Sequence, residues 1–294
     1  MTESAQGATE AGLPKRLLLA TDLSARCDRA LDRAAQLAEV WQAEIVAVNV
    51  LDLGSTPDQI LAWASGATEQ DLRQIALQEL RRNTAGVSAP ISLRVERGND
   101  AAEVICKVAG EVGADLLVSS VARNEVLGRF LLGSTVEQLA RSVAQPLLVV
   151  RQRARQPYRR IVVATDLSPG AHGGLQAAAR LFPGQALQLY HAHEAPLAGL
   201  SDRLDAAQSA SVAAQQACEA LVGQTPLPPD TEVHIQCERG AVTSTLPAFV
   251  RQHDVDLVVL GIDAAPGLVS TLLGSTALRL LQWLPCDVLL VRSA

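Results

Sequence analysis

One run of residues occurs twice in this chain. RLLLATDLS (Arg16 to Ser24) returns as RIVVATDLS (Arg160 to Ser168), 144 positions later at the aspartates. VERG (Val95 to Gly98) returns as CERG (Cys237 to Gly240) after 142 positions. ADLLVSS (Ala114 to Ser120) returns as VDLVVLG, LLGST (Leu131 to Thr135) as LLGST (Leu272 to Thr276), and PLLVVR as DVLLVR, each after 141. Five matches in the same order mean an internal duplication. The period is too long for a solenoid, whose repeats run about 20–50 residues, so each copy is a whole domain. A chain of 294 residues fits two domains of about 150.

Within each copy, short apolar runs alternate with stretches of helical period. Leu17 to Ala20 reads as a buried parallel strand. Ser24 is then expected to cap a helix whose apolar residues (Ala30, Leu31, Ala34, Leu37, Ala38, Trp41) recur every three or four positions. Strands follow at Glu44 to Leu51, Ile91 to Val95, Leu116 to Val118 and Leu147 to Val150. Helices are expected around Leu72 to Leu80, around Val104 to Val112, and over Ser134 to Val143. The second copy repeats the order, with Ser168 as cap and Pro169 as first helical residue. Strands alternating with helices predict an α/β fold with a doubly wound parallel sheet. Residues 1–13 read as a polar, disordered tail, 14–152 as the first domain, 153–159 as a linker and 160–294 as the second domain. The arginine-rich run Arg151 to Arg160 reads as a solvated boundary rather than a docking site.

Composition narrows the classes. With 48% hydrophobic and 19% charged residues the chain can build sizeable cores. Its net charge of −6 is scattered and its aromatics are only 3%, which speaks against nucleic acid as a partner. No apolar run approaches the roughly 18 residues that span a bilayer, so no membrane is expected. The five cysteines are dispersed and never spaced as CxxC, which fits buried thiols in a reducing, cytoplasmic setting. Cys106 and Cys286 read as core or interface thiols. His191 and His193 share one strand face at ligand spacing, but no third metal ligand accompanies them.

Ligands in open α/β sheets bind beyond the carboxyl ends of the strands, where strand order reverses. Two repeated motifs sit at such ends. In Ala-Thr-Asp-Leu-Ser, Asp22 and Asp166 can accept from an exocyclic amine or cap the next helix. In Leu-Leu-Gly-Ser-Thr, Gly133 and Gly274 let backbone approach a ligand, and Ser134 and Ser275 open helices whose free amides favour phosphate. A capping box formed by Ser134 and Glu137 would explain the first of these without a ligand.

These motifs together resemble the universal stress protein family, twice over nearly the whole chain. The resemblance implies two tandem Rossmann-like domains, each a five-stranded parallel sheet of order 3-2-1-4-5. The family pairs domains through their fifth strands, which implies pairing within this chain and leaves a homodimer open. It also implies an adenine-nucleotide site, with ATP as ligand. The first-strand aspartate and a second-strand-end residue would take adenine, and a Gly-x2-Gly-x9-Gly-Ser/Thr motif ribose and phosphates. In the second half these positions are Asp166, Ala192, Gly261, Ala264, Gly274, Ser275 and Thr276. In the first they are Asp22, Val50, Gly133 and Ser134, with Ser120 and Arg123 in place of the earlier glycines. The second half is therefore expected to be the better site and the first to be closed. Residues 262–276 hold one carboxylate, Asp263, and no lysine, so a stress-response nucleotide sensor without catalysis is expected. A nucleotide-free interaction scaffold and an ATP-hydrolysing enzyme are the alternatives.

Overall fold

The computed structural model describes residues 12–25, 27–51, 68–121, 132–194, 203–263 and 274–293. Most of the expected polar tail, Arg123 and Ala264 lie outside these. The first half runs β1 (Arg16–Ala20), α1 (Asp28–Trp41), β2 (Glu44–Leu51), α2 (Glu69–Asn83), β3 (Ile91–Arg97), α3 (Ala101–Glu111), β4 (Leu116–Ser120), α4 (Ser134–Ser142) and β5 (Leu147–Val150). The second runs β6 (Ile161–Thr165), α5 (Pro169–Leu181), β7 (Leu187–His193), α6 (Arg203–Gln224), β8 (Val233–Arg239), α7 (Val242–Gln252), β9 (Leu257–Ile262), α8 (Ser275–Trp283) and β10 (Asp287–Arg292).

All ten strands form one sheet, ordered β3-β2-β1-β4-β5-β10-β9-β6-β7-β8. Each half thus has the order 3-2-1-4-5 with parallel neighbours, and β5 meets β10 antiparallel, Leu148 opposite Leu289. The two fifth strands cover each other's edges, which would otherwise present unpaired amides and carbonyls. Side chains alternate across the strands, and both faces are apolar. One face carries Leu17, Leu19, Val118 and Val259 under α1, α2, α5 and α6; the other carries Leu18, Leu117, Val258 and Leu290 under α3, α4, α7 and α8. Each core runs without a break through both halves. Among the described residues no helix is long and apolar enough to cross a membrane.

The strap between the halves differs from the expected solvated boundary. Arg153, Arg155, Arg159 and Arg160 are exposed, but Arg151 and Tyr158 are each only 4% exposed. Both are drawn in by Asp287, a carboxylate with no exposure at all. Asp287 accepts from Arg151 N at 2.7 Å, Gln152 N at 3.0 Å and the Tyr158 hydroxyl at 2.6 Å. Arg33 of α1 places Nε 3.3 Å from the same carboxylate and lays its guanidinium 4.0 Å from the centre of the Tyr158 ring. A buried carboxylate persists only with such partners.

The Arg151 guanidinium donates to the carbonyls of Leu281 and Leu284, at the end of α8. Arg292, its counterpart 141 positions on, donates to Ala140 O at 2.7 Å and Val143 O at 2.6 Å, at the end of α4. Leu281 and Leu284 are themselves the counterparts of Ala140 and Val143. Each half therefore supplies the side chain that satisfies the last carbonyls of the other half's final helix, a position that favours a cation.

Candidate functional site: the cavity at the first reversal of strand order

The Thr-Asp-Leu-Ser turn has the same construction in both halves. Leu23 and Leu167 adopt φ of 64° and 65°, a left-handed conformation that strains a leucine. Side chains hold it there: Thr21 Oγ1 accepts from Leu23 N at 3.1 Å and Thr165 Oγ1 from Leu167 N at 2.9 Å. Asp22 Oδ1 accepts from Ser24 N at 2.9 Å and Asp166 Oδ1 from Ser168 N at 3.0 Å. The aspartates thus brace the turn. Ser24 is not the helix cap the sequence reading expected: α1 begins at Asp28 with Cys27 at the capping position, and the Ser24 hydroxyl turns back to Asp22. Ser168 does precede Pro169 at the start of α5, but its side chain makes no capping hydrogen bond.

Next to Asp22 lies a cavity of about 240 Å³. It opens where strand order reverses between β1 and β4, the crevice in which such sheets bind ligands. Ala20, Val50, Ala101, Ile105 and Val136 give it apolar sides. Its polar wall is Thr21, Asp22, Cys27, Ser119 and Ser120, and Gly133 and Thr135 bring in the start of α4. The Cys27 thiol donates to Asp22 Oδ1 at 3.0 Å and lies 3.3 Å from Ser120 Oγ. Burial first, and the Asp22 charge second, push the Cys27 thiol above its ordinary pKa, so it stays a protonated donor to that carboxylate.

The capping-box explanation of Ser134 does not hold. Gly133 occupies the cap of α4 and Ser134 the first helical position, and no side chain caps the first turn. Glu137 pairs instead with Arg141 at 3.0 Å. Gly133 has φ of −65°, which any residue adopts, and a Cβ added to it would meet nothing within 4 Å. Neither its backbone nor its packing calls for glycine.

Of the residues expected at a site, Asp22, Val50 and Gly133 come together here, whereas Ser134 is exposed and outside the lining. Ser120, expected to narrow the first half, is instead part of an open wall. Arg123, the other residue expected to close the first half, lies outside the described residues. Thr135 closes the repeated Leu-Leu-Gly-Ser-Thr motif, whereas Ser119 stood out in neither motif; comparison with Leu260 at the aligned position could have found it.

In the second half, Asp166 is exposed at the end of β6, Ala192 is half-buried on β7, and Gly274, Ser275 and Thr276 are exposed at the start of α8. Gly261 serves packing: a Cβ there would lie 2.2 Å from Gly170 O and 3.3 Å from Ala171 Cα of α5. Asp263 accepts from Gly170 N and so is engaged with the first turn of that helix. Gly174, one turn further on, also faces Gly261. Where the second half carries Gly174, Ala171 and Gly261, the first carries Ala30, Cys27 and Ser120. Leu260, only 5% exposed, stands where the first half has Ser119.

The paired histidines have a local role. His191 Nδ1 lies 3.0 Å from Thr165 O, where in the first half Asn49 Nδ2 donates to Thr21 O at 3.0 Å. The His191 and His193 rings stack with centres 6.4 Å apart. Among the described residues no three His, Cys, Asp or Glu side chains converge as a metal site.

The doubled 3-2-1-4-5 sheet and the doubled Asp turn place the chain among known proteins. It matches the family described as the Universal stress protein family over residues 14–151 and again over 157–292. The chain belongs to this family, with two of its domains in tandem. It is 30% identical over 143 residues to a putative universal stress protein of Staphylococcus epidermidis, covering 47% of this chain and 84% of that one. A universal stress protein crystal structure from Archaeoglobus fulgidus DSM 4304 superposes with a TM-score of 0.70 at 19% identity, over 95% of this chain and 98% of that chain. A further universal stress protein was solved in complex with cAMP; it is 25% identical over 47% of this chain and 98% of its own, with a TM-score of 0.35.

Proposed function

We propose that this universal stress protein holds an adenine nucleotide in its first half, as a sensor rather than a catalyst. The observation that carries this reading is the cavity beside Asp22, which joins an oriented carboxylate, apolar sides and an uncapped helix start in one space. A base fits between Val50, Ile105 and Val136, with its exocyclic amine toward Asp22. The start of α4 at Gly133 offers free amides to phosphate, and the missing Gly133 side chain keeps that approach clear. At about 240 Å³ the space lies just below the usual range of about 300–1,000 Å³ for small-molecule pockets, so base and sugar fill it while phosphates lie at the mouth.

Catalysis has no support in the lining. Among its described residues are one carboxylate, Asp22, and no lysine, arginine or histidine. Phosphoryl transfer calls for positioned cations and a base.

Calorimetric titration of ATP, ADP and AMP tests this reading. A hydrogen bond to a charged group contributes about 1.5–3 kcal/mol, so Asp22→Ala weakens binding roughly 10- to 100-fold. Asp166→Ala leaves it unchanged. The reverse pattern moves the site to the second half, and no heat with any of the three nucleotides favours an interaction scaffold. Release of ADP from ATP at a rate abolished by Asp22→Ala would contradict the non-catalytic part.

A further inference from the structure

Ser119 is 6% exposed, yet its hydroxyl has no hydrogen-bond partner among the described residues, and the side chain lines the first-half cavity. That hydroxyl is not sealed away from solvent, so water or a ligand in the cavity can supply the partner the protein does not. Its neighbours on the same wall are satisfied within the protein: Thr21 by Leu23 N, and Cys27 by Asp22 and Ser120. Ser119 also marks the difference between the halves. The aligned residue on β9 is Leu260, which belongs to the apolar core. Both strands are equally buried and lie between equivalent neighbours, β1 and β5 or β6 and β10. Packing alone would therefore accept leucine at 119, and the serine answers to the cavity.

We propose that Ser119 is a ligand-contacting specificity residue, whose hydroxyl bonds a polar group on the base or sugar of the bound nucleotide and confines binding to the first half. This rests on the nucleotide reading of the same cavity. A hydroxyl both donates and accepts, so it can meet a ring nitrogen or a ribose hydroxyl. Leucine at the same place adds apolar bulk to the cavity and removes the partner, and a site built to hydrogen-bond a group discriminates strongly once that bond is lost.

Titrating ATP into the wild-type chain, Ser119→Ala and Ser119→Leu tests the assignment, with thermal unfolding of each to confirm folding. Ser119→Ala is expected to weaken ATP about three- to tenfold, the factor one neutral hydrogen bond implies. Ser119→Leu is expected to remove measurable binding at an unchanged melting temperature. If Ser119→Leu misfolds, the alanine variant decides. Wild-type affinity in both variants overturns the assignment and leaves the nucleotide reading standing. A wild-type chain that binds no ATP overturns both. The analogue 2′-deoxy-ATP sorts the partner: a loss seen in wild type and absent in Ser119→Ala supports a sugar contact. An equal loss in both proteins overturns the sugar contact in favour of the base.

Discussion

Replacing Asp287 with alanine removes the acceptor on which the strap, β10 and α1 all converge. Two backbone amides, the Tyr158 hydroxyl and the Arg33 guanidinium lose their partner at a site with no solvent access. Breaking a buried charged pair from one side costs about 3–5 kcal/mol. Unfolding entropy of about 2.1 cal/mol/K per residue gives about 0.6 kcal/mol/K for a chain of 294 residues. The melting temperature should therefore fall by about 5–8 °C. Asp287→Asn keeps one oxygen for the Arg151 and Gln152 amides and loses the charge facing Arg33, so about half that fall is expected. Tyr158→Phe alone removes one hydrogen bond to a carboxylate, about 1.5–3 kcal/mol, but should cost little once Asp287 is gone. Urea unfolding of the two single variants and the double variant reads the coupling as a double-mutant cycle. A fall below about 2 °C for Asp287→Ala, or strict additivity with Tyr158→Phe, would refute the convergence on Asp287.

Three further outcomes follow from the geometry. Gly261→Ala drives a methyl into backbone of α5 and should destabilise by about 1–3 kcal/mol, whereas Gly133→Ala enters open space and should leave the urea midpoint unchanged while weakening nucleotide. Burial, then the neighbouring Asp287, hold the Tyr158 phenol well above its ordinary pKa. Stability from that raised pKa is complete below about pH 10 and drains away above it, by about 1.4 kcal/mol per pH unit, so Tyr158→Phe should flatten the alkaline loss in unfolding titrations. The Cys218 and Cys286 thiols, pushed up to about 12 chiefly by burial, should resist iodoacetamide at pH 8 until denaturant is added, as mass spectrometry would show.

The strand and helix order was legible because buried parallel strands are short apolar runs and the helices keep their period: Leu17 to Ala20 and Ala30 to Trp41 announce themselves. The meeting of β5 with β10 was legible only through the family resemblance, and it covers two strand edges that would otherwise lie open. Partner choice was not legible. Ser134 and Glu137 have capping-box spacing, yet the helix starts one residue early and Glu137 pairs with Arg141. Arg151 sits in an arginine-rich run that looks solvated, and only the carbonyls of α8, more than a hundred residues away, bury it. Gly261 matched a ligand-binding motif, but glycine also serves close helix packing, and Gly170 decides between the two. The place of the cavity was legible in Asp22, Val50 and Gly133, but its polar wall was not, because Ser119 is informative only beside Leu260.

The exchanged arginines bear on strand alignment. Antiparallel strands such as β5 and β10, apolar on both faces, could pair in several offsets with similar burial, because a one-residue slip still places apolar side chains on each face. Here Arg151 and Arg292 stand at opposite ends of the seam, each aimed at carbonyls on the far side. A slip of one residue displaces the strands by about 3.4 Å and takes both guanidinium groups out of reach together. The pair works as a gauge fixed at both ends, which a single central contact could not be. A cut in the strap would leave that gauge intact, so the two halves should stay aligned without the peptide that joins them.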